Sequence, residues 1–193
     1  MARIVDESKL ERVHDAAMSL IVQKGYGGAS ISSIAKEAQV SEGYLYRFYL
    51  GKEELVNVLL NAKIKEISDI IESCLDKHEE ATVVINKLLL SLCSVGLHNP
   101  NQIKFLYVML GSYNFSISDK IKTLLLEICT RMKNLAEEQN VVQKDMELDH
   151  FFNMVIIYPV QYMNLRIKEF TRPGGFTEKD RDSLIEFVMK SLS

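Results

Sequence analysis

The sequence predicts an all-α fold in two parts, a head of short helices followed by a larger body of long ones. Apolar residues recur at intervals of three and four along most of the 193 residues, and the period-two alternation of strands is absent over any useful length. Only three prolines interrupt the chain. Five of the nine glycines (Gly25, Gly27, Gly28, Gly43 and Gly51) fall before residue 52, so the N-terminal quarter reads as short elements with tight turns and the remainder as long helices. With 47% hydrophobic and 25% charged residues, the chain has enough apolar surface to bury a core, which excludes global disorder.

Leu10, Val13, Ala16, Ala17, Leu20 and Ile21 form one stripe, so a first helix runs from about Glu7 to Lys24 and Gly25 stops it. Ser30 caps a short second helix carrying Ile31, Ile34, Ala35 and Ala38, and Ser41 caps a third that runs to Tyr49. Gly51 precedes a long fourth helix whose first turn holds Glu53 and Glu54, favourable to the helix dipole. A segment from about Glu79 to His98 follows, and Asn99-Pro100 reads as the cap and first residue of the next helix. Ser116 with Asp119 opens a helix ending near Gln139. The polar stretch Asn140 to Lys144 leads into a long apolar helix, Asp145 to Phe170, with a kink expected at Pro159. Arg172-Pro173-Gly174-Gly175 breaks it, and Thr177 with Asp180 caps a final amphipathic helix to Leu192.

Residues 31 to 49 have the layout of a helix-turn-helix. Ala35 is small enough for two helices to cross at it, while Val40 and Leu45 plug the angle between them. Leu45 and Tyr49, four apart, share the inward face, which leaves Glu42, Gly43, Tyr46 and Arg47 outward. A short helix with exposed Tyr, Arg and Gly suits a major groove. Its N-terminal N–H groups and Ser41 face phosphate, and Gly43 permits close approach. Taken singly, Tyr44 and Tyr46 read equally as helix-packing aromatics, and Arg47 and Lys52 as solvated charges.

The stretches Ser30-Ile31-Ser32-Ser33-Ile34-Ala35, Ala38 through Tyr49, and Gly51-Lys52-Glu53-Glu54-Leu55 together resemble the DNA-binding domain of the TetR family. Ala16-Ala17 and Gly25-Tyr26 are similar to that family too, so the resemblance covers roughly the first 60 residues. It implies that Ser30 and Ser32 contact phosphates and that Ser41, Glu42, Gly43 and Tyr44 approach bases or backbone. Tyr46, Arg47 and Lys52 would grip phosphates. Three departures stand out. Gln39 occupies a turn position usually held by Gly; Glu42 replaces a common Lys or Arg and is able to accept from cytosine N4; Phe48 replaces a His or Tyr that often bonds the backbone.

Charge agrees in sign only. Residues 1–52 hold seven Lys/Arg against six Asp/Glu, and residues 53–193 sixteen against twenty, within a net charge of -3. Diffuse polycationic binding to nucleic acid is excluded, and recognition must rest on a few placed contacts. The expected division is 1–52 as the DNA-binding domain and 53–193 as a ligand-sensing and dimerisation domain. In the body, the last two helices present broad apolar faces that include Phe152, Ile156, Leu184, Phe187 and Val188. The resemblance implies that two copies pair them as a four-helix bundle, a homodimer presenting two heads to a palindromic double-stranded DNA operator. Tyr107, Met109, Tyr113, Phe115, Met154, Tyr158 and Met163 either line a pocket for a small, largely apolar effector or fill a core.

No catalytic constellation, phosphate-cradling loop or metal-ligand spacing is present, so neither enzyme activity nor a cofactor is expected. The three cysteines read as buried reduced thiols. The charged N-terminus lacks the apolar core of a signal peptide, and no apolar run reaches membrane-span length, Met154 to Val160 being the strongest; a cytoplasmic protein without membrane contact is expected. The predicted function is a transcriptional regulator, a repressor released from its operator by an effector. The alternative is an all-α interaction protein that binds a protein or lipid through its C-terminal helices, with an idle head.

Overall fold

A computed structural model describes residues 7–192, and among them every regular element is helical. The head elements are α1 (Glu7–Gly28), α2 (Ile31–Glu37) and α3 (Glu42–Leu45), followed by α4 (Lys52–Asp76). Then come α5 (Ala81–His98), α6 (Pro100–Leu110), α7 (Asp119–Glu138) and α8 (Leu148–Phe152). A π-helical turn, Asn153–Ile157, joins α8 to α9 (Tyr158–Ile167), and α10 (Glu178–Leu192) closes the chain.

Several boundaries differ from expectation for identifiable reasons. Gly25 breaks α1 at φ 72, ψ 167, as its freedom from a Cβ allows, but helical turns resume to Gly28. α3 ends at Leu45 rather than Tyr49, because the Phe48 N–H bonds to the Leu45 carbonyl three residues back and tightens the last turn. The cap of α7 is Ser118, not Ser116, whose carbonyl instead accepts from Asn57 Nδ2 at 3.4 Å. The long helix expected from Asp145 to Phe170 is shorter and interrupted. Pro159 has no N–H to continue the ladder, and the wide π turn directly before it absorbs the mismatch.

The described residues divide into two compact units. The first runs to Asn61 and takes in Lys104–Ile117 from the middle of the chain, so its edge falls inside α4 rather than at residue 52. Its core is the stripe Val13, Ala16, Ala17, Leu20 and Ile21 against Ile34, Ala35, Leu45, Leu55 and Val56. The second unit holds Ala62–Ile103 and the chain from Ser118 onward, and is built around α5, which packs on α7, α9 and α10. At 18 residues and a mean hydropathy of 1.5, α5 is long and apolar enough to cross a membrane. This corrects the expectation that Met154 to Val160 is the strongest apolar run. Eight of its residues are buried against its neighbours, as in a core helix. Gly96 makes that packing close: a Cβ there would lie 2.6 Å from Met163 Sδ and 3.2 Å from Phe176. Cys74, Cys93 and Cys129 are buried and unpaired, and burial pushes the Cys93 and Cys129 thiols up to about 12.

Candidate nucleic-acid interface

The angle between α2 and α3 is set by their caps. Ser30 and Ser33 cap each other: Ser33 N donates to Ser30 Oγ at 3.1 Å, and Ser30 N to Ser33 Oγ at 2.9 Å. The chain then turns through Gln39 at φ 56, the left-handed conformation a glycine would adopt freely. Ser41 caps α3, its Oγ accepting from Tyr44 N at 3.2 Å. Leu45 is fully buried and Tyr49 nearly so, which rotates Ser41, Glu42, Gly43, Tyr46 and Arg47 into solvent.

The outward residues are held in place. Tyr44, half-buried, packs on Phe48 in a tilted arrangement with ring centroids 5.1 Å apart. The Arg47 guanidinium lies 5.9 Å from the Tyr44 ring centroid and 5.6 Å from that of Phe48, a cation–π arrangement that restricts its long side chain. Phe48 thus replaces a polar backbone contact with an aromatic platform. A Cβ on Gly43 would meet only Ser41 Oγ, at 4.0 Å, so the fold itself does not demand a glycine there.

Lys52 differs from the reading that makes it a phosphate anchor. Its ammonium donates to the carbonyls of Tyr26 (2.7 Å) and Ala29 (2.8 Å) and sits 4.0 Å from the centre of the Tyr26 ring. Burial lowers its pKa. The side chain ties the start of α4 to the end of α1, and α1 ends with no basic residue of its own in its last turn. Sequence reasoning also missed His14, whose Nε2 lies 2.8 Å from Tyr49 Oη and joins α1 to the chain just after α3. Burial lowers the His14 pKa, opposed by Asp15 and Glu11. Its place inside the apolar stripe, next to Val13 and three before Ala17, was the available signal.

The residues predicted for the body separate. Tyr107, Met109, Tyr113 and Phe115 belong to the first unit, and Met154, Tyr158 and Met163 to the second. Tyr113 is fully exposed on a turn, and Phe115 packs on Tyr26 with centroids 5.0 Å apart, so neither lines a pocket in the body. Grooves of about 440 Å³, between residues that include Leu75, His78 and Arg131, and about 290 Å³, between Arg12, Glu37 and others, contain none of the seven. Of the predicted interface, Leu184 and Val188 are buried within the chain, because α10 turns that face to α5. Phe187 is half-exposed and stacks on Tyr158 at 5.2 Å, and Phe152 and Ile156 are partly exposed.

Comparison with known proteins agrees with this geometry. Residues 13–59 match the family described as bacterial regulatory proteins, tetR family. The uncharacterised HTH-type transcriptional regulator YvkB of Bacillus subtilis is 39% identical over 62 residues, 32% of this chain and 33% of that protein. The fatty acid metabolism regulator protein of the same organism is 32% identical over 74 residues, 38% of this chain and 37% of that protein. The match thus spans about a third of the length of these curated relatives. Over the whole chain the likeness is one of fold. The solved structure of the transcriptional regulator FadR from Bacillus subtilis in complex with stearoyl-CoA superposes with a TM-score of 0.74 at 17% identity, covering 95% of this chain and 99% of that one. The helix-turn-helix segment thus matches the tetR family in sequence, and the chain as a whole is similar in fold to a solved transcriptional regulator.

Proposed function

We propose that the chain is a DNA-binding transcriptional regulator, a cytoplasmic homodimer that represses from a palindromic operator and leaves it when a small, largely apolar effector binds. The observation that carries the DNA reading is the outward row on α3. Ser41, Glu42, Gly43, Tyr46 and Arg47 are exposed together on α3 and the residues that flank it, anchored by Leu45, and the glycine among them serves no packing need of the fold. In this reading Ser41, Tyr46 and Arg47, with Ser30 and Ser32 on α2, take phosphates, while Glu42 and Tyr44 meet base edges. Lys52 contributes by holding the head together. The partly exposed face of Phe152, Ile156, Tyr158 and Phe187 supports pairing with a second copy.

The effector class is supported by the relatives, one a fatty acid metabolism regulator and one solved with stearoyl-CoA. We assign this chain an acyl chain carried on a polar carrier. Selection from a random duplex library by the purified protein tests the reading. The enriched sequences should be palindromic, with half-sites about one or more helical turns apart, and an acyl thioester should release them. An unenriched library contradicts it.

A further inference from the structure

Asn164 stands apart in the second unit. It is 1% exposed, and neither its Nδ2 nor its Oδ1 has a hydrogen-bond partner. It lies on α9 beside fully buried Met163 and one turn beyond buried Val160, and α9 packs on the apolar helix α5. An amide sealed in such an interior loses water at both atoms and gains nothing in return, whereas a leucine would carry no such cost. The same helix follows a π turn, a distortion that recurs at functional sites.

The charge around it is equally informative. Arg166, two residues on and 4% exposed, is the nearest cation in sequence, but each of its three nitrogens is already bonded elsewhere. Nε bonds to Asp180 Oδ1 at 3.0 Å, Nη1 to the Arg172 carbonyl at 2.7 Å, and Nη2 to the Gly175 carbonyl at 2.6 Å. An ionised carboxylate beside Asn164 would find the amide N–H donors but an Arg166 already committed to Asp180, and burying it would cost more than those bonds return. A neutral carbonyl accepts from Nδ2 without that cost, and an amide also donates to Oδ1, satisfying both orphaned atoms. Met163, flexible and set against Gly96, is the kind of side chain that moves aside for a ligand.

We infer that Asn164 is the polar recognition point for the effector and selects an acyl amide or thioester over the free fatty acid. This rests on the effector reading above and adds the head-group chemistry to it.

Calorimetric titration of the full chain with decanamide, decanoyl-CoA and decanoate, at about pH 8 where decanoate is ionised, tests it. Wild type should bind the two neutral acyl groups at least about tenfold more tightly than decanoate, and Asn164→Leu and Asn164→Ala should erase that preference. Without ligand, Asn164→Leu should melt no lower than wild type, and Asn164→Ala controls for any overfilling by the larger side chain. Wild type preferring decanoate overturns the inference, as do variants that keep the wild-type preference. If no probe binds wild type, the effector reading falls, and the inference falls with it.

Discussion

Gln39 turns the chain between α2 and α3 at φ 56, a conformation that costs a residue with a Cβ about 1–2 kcal/mol. Gln39→Gly should therefore stabilise the head by about 1 kcal/mol, read as a shift in the urea midpoint; an unchanged or lower midpoint would show that the glutamine side chain returns the strain. At His14 the sign of a pH effect follows from its burial. The folded state holds this imidazole below its ordinary pKa of 6.5, so the unfolded chain binds the proton more readily. Stability from His14 is thus complete above about pH 6.5 and drains away as pH falls through the lowered folded value. Between pH 8 and 5, wild type should lose more stability than His14→Gln. Equal loss in both proteins would assign the effect elsewhere.

Among the elements, the turn joining α9 to α10 is held by a buried charge cluster. Asp180, fully buried, accepts from Arg166, from Arg172, and from Thr177 through both its N–H (2.9 Å) and its hydroxyl (2.8 Å). Burial alone would raise the Asp180 pKa, but these bonds outweigh it and hold the carboxyl well below the usual carboxylate range. Asp180→Asn leaves Arg166 buried without its counter-charge and should cost about 3–5 kcal/mol in thermal or chemical unfolding. A loss below about 1 kcal/mol would show that Arg166 reaches water. Thr177 and Asp180 were legible in the sequence as a capping pair, because capping is local. Arg166 was not, because a buried arginine shares the sequence appearance of a solvated one until the turn brings Asp180 beneath it. The head was legible for the same reason: Ser30 and Ser41 cap groups three residues on, and Leu45 and Tyr49 share a face four residues apart. In the body, the periodicity of α10 showed an apolar face but could not assign Leu184 and Val188 to α5 and Phe187 to the surface. For Phe115 the choice between pocket and core was not legible, because the partner that makes it core, Tyr26, lies 89 positions earlier in the sequence.

For the whole molecule, the net charge of -3 allows no diffuse affinity for DNA, so the proposed binding rests on a small outward set, doubled in the proposed homodimer. Within that set Arg47 is preorganised over Tyr44 and Phe48, and Tyr46 is exposed beside it. The measurement that bears most directly on this is the dissociation constant for a selected operator, by fluorescence anisotropy across a salt series, for wild type and Tyr46→Ala/Arg47→Ala. Wild type should bind operator at least about a thousandfold more tightly than random duplex. The double variant should weaken operator binding by at least about tenfold, with a shallower salt slope from the lost Arg47–phosphate contact. Equal, weak binding of both proteins to operator and random DNA would contradict the account.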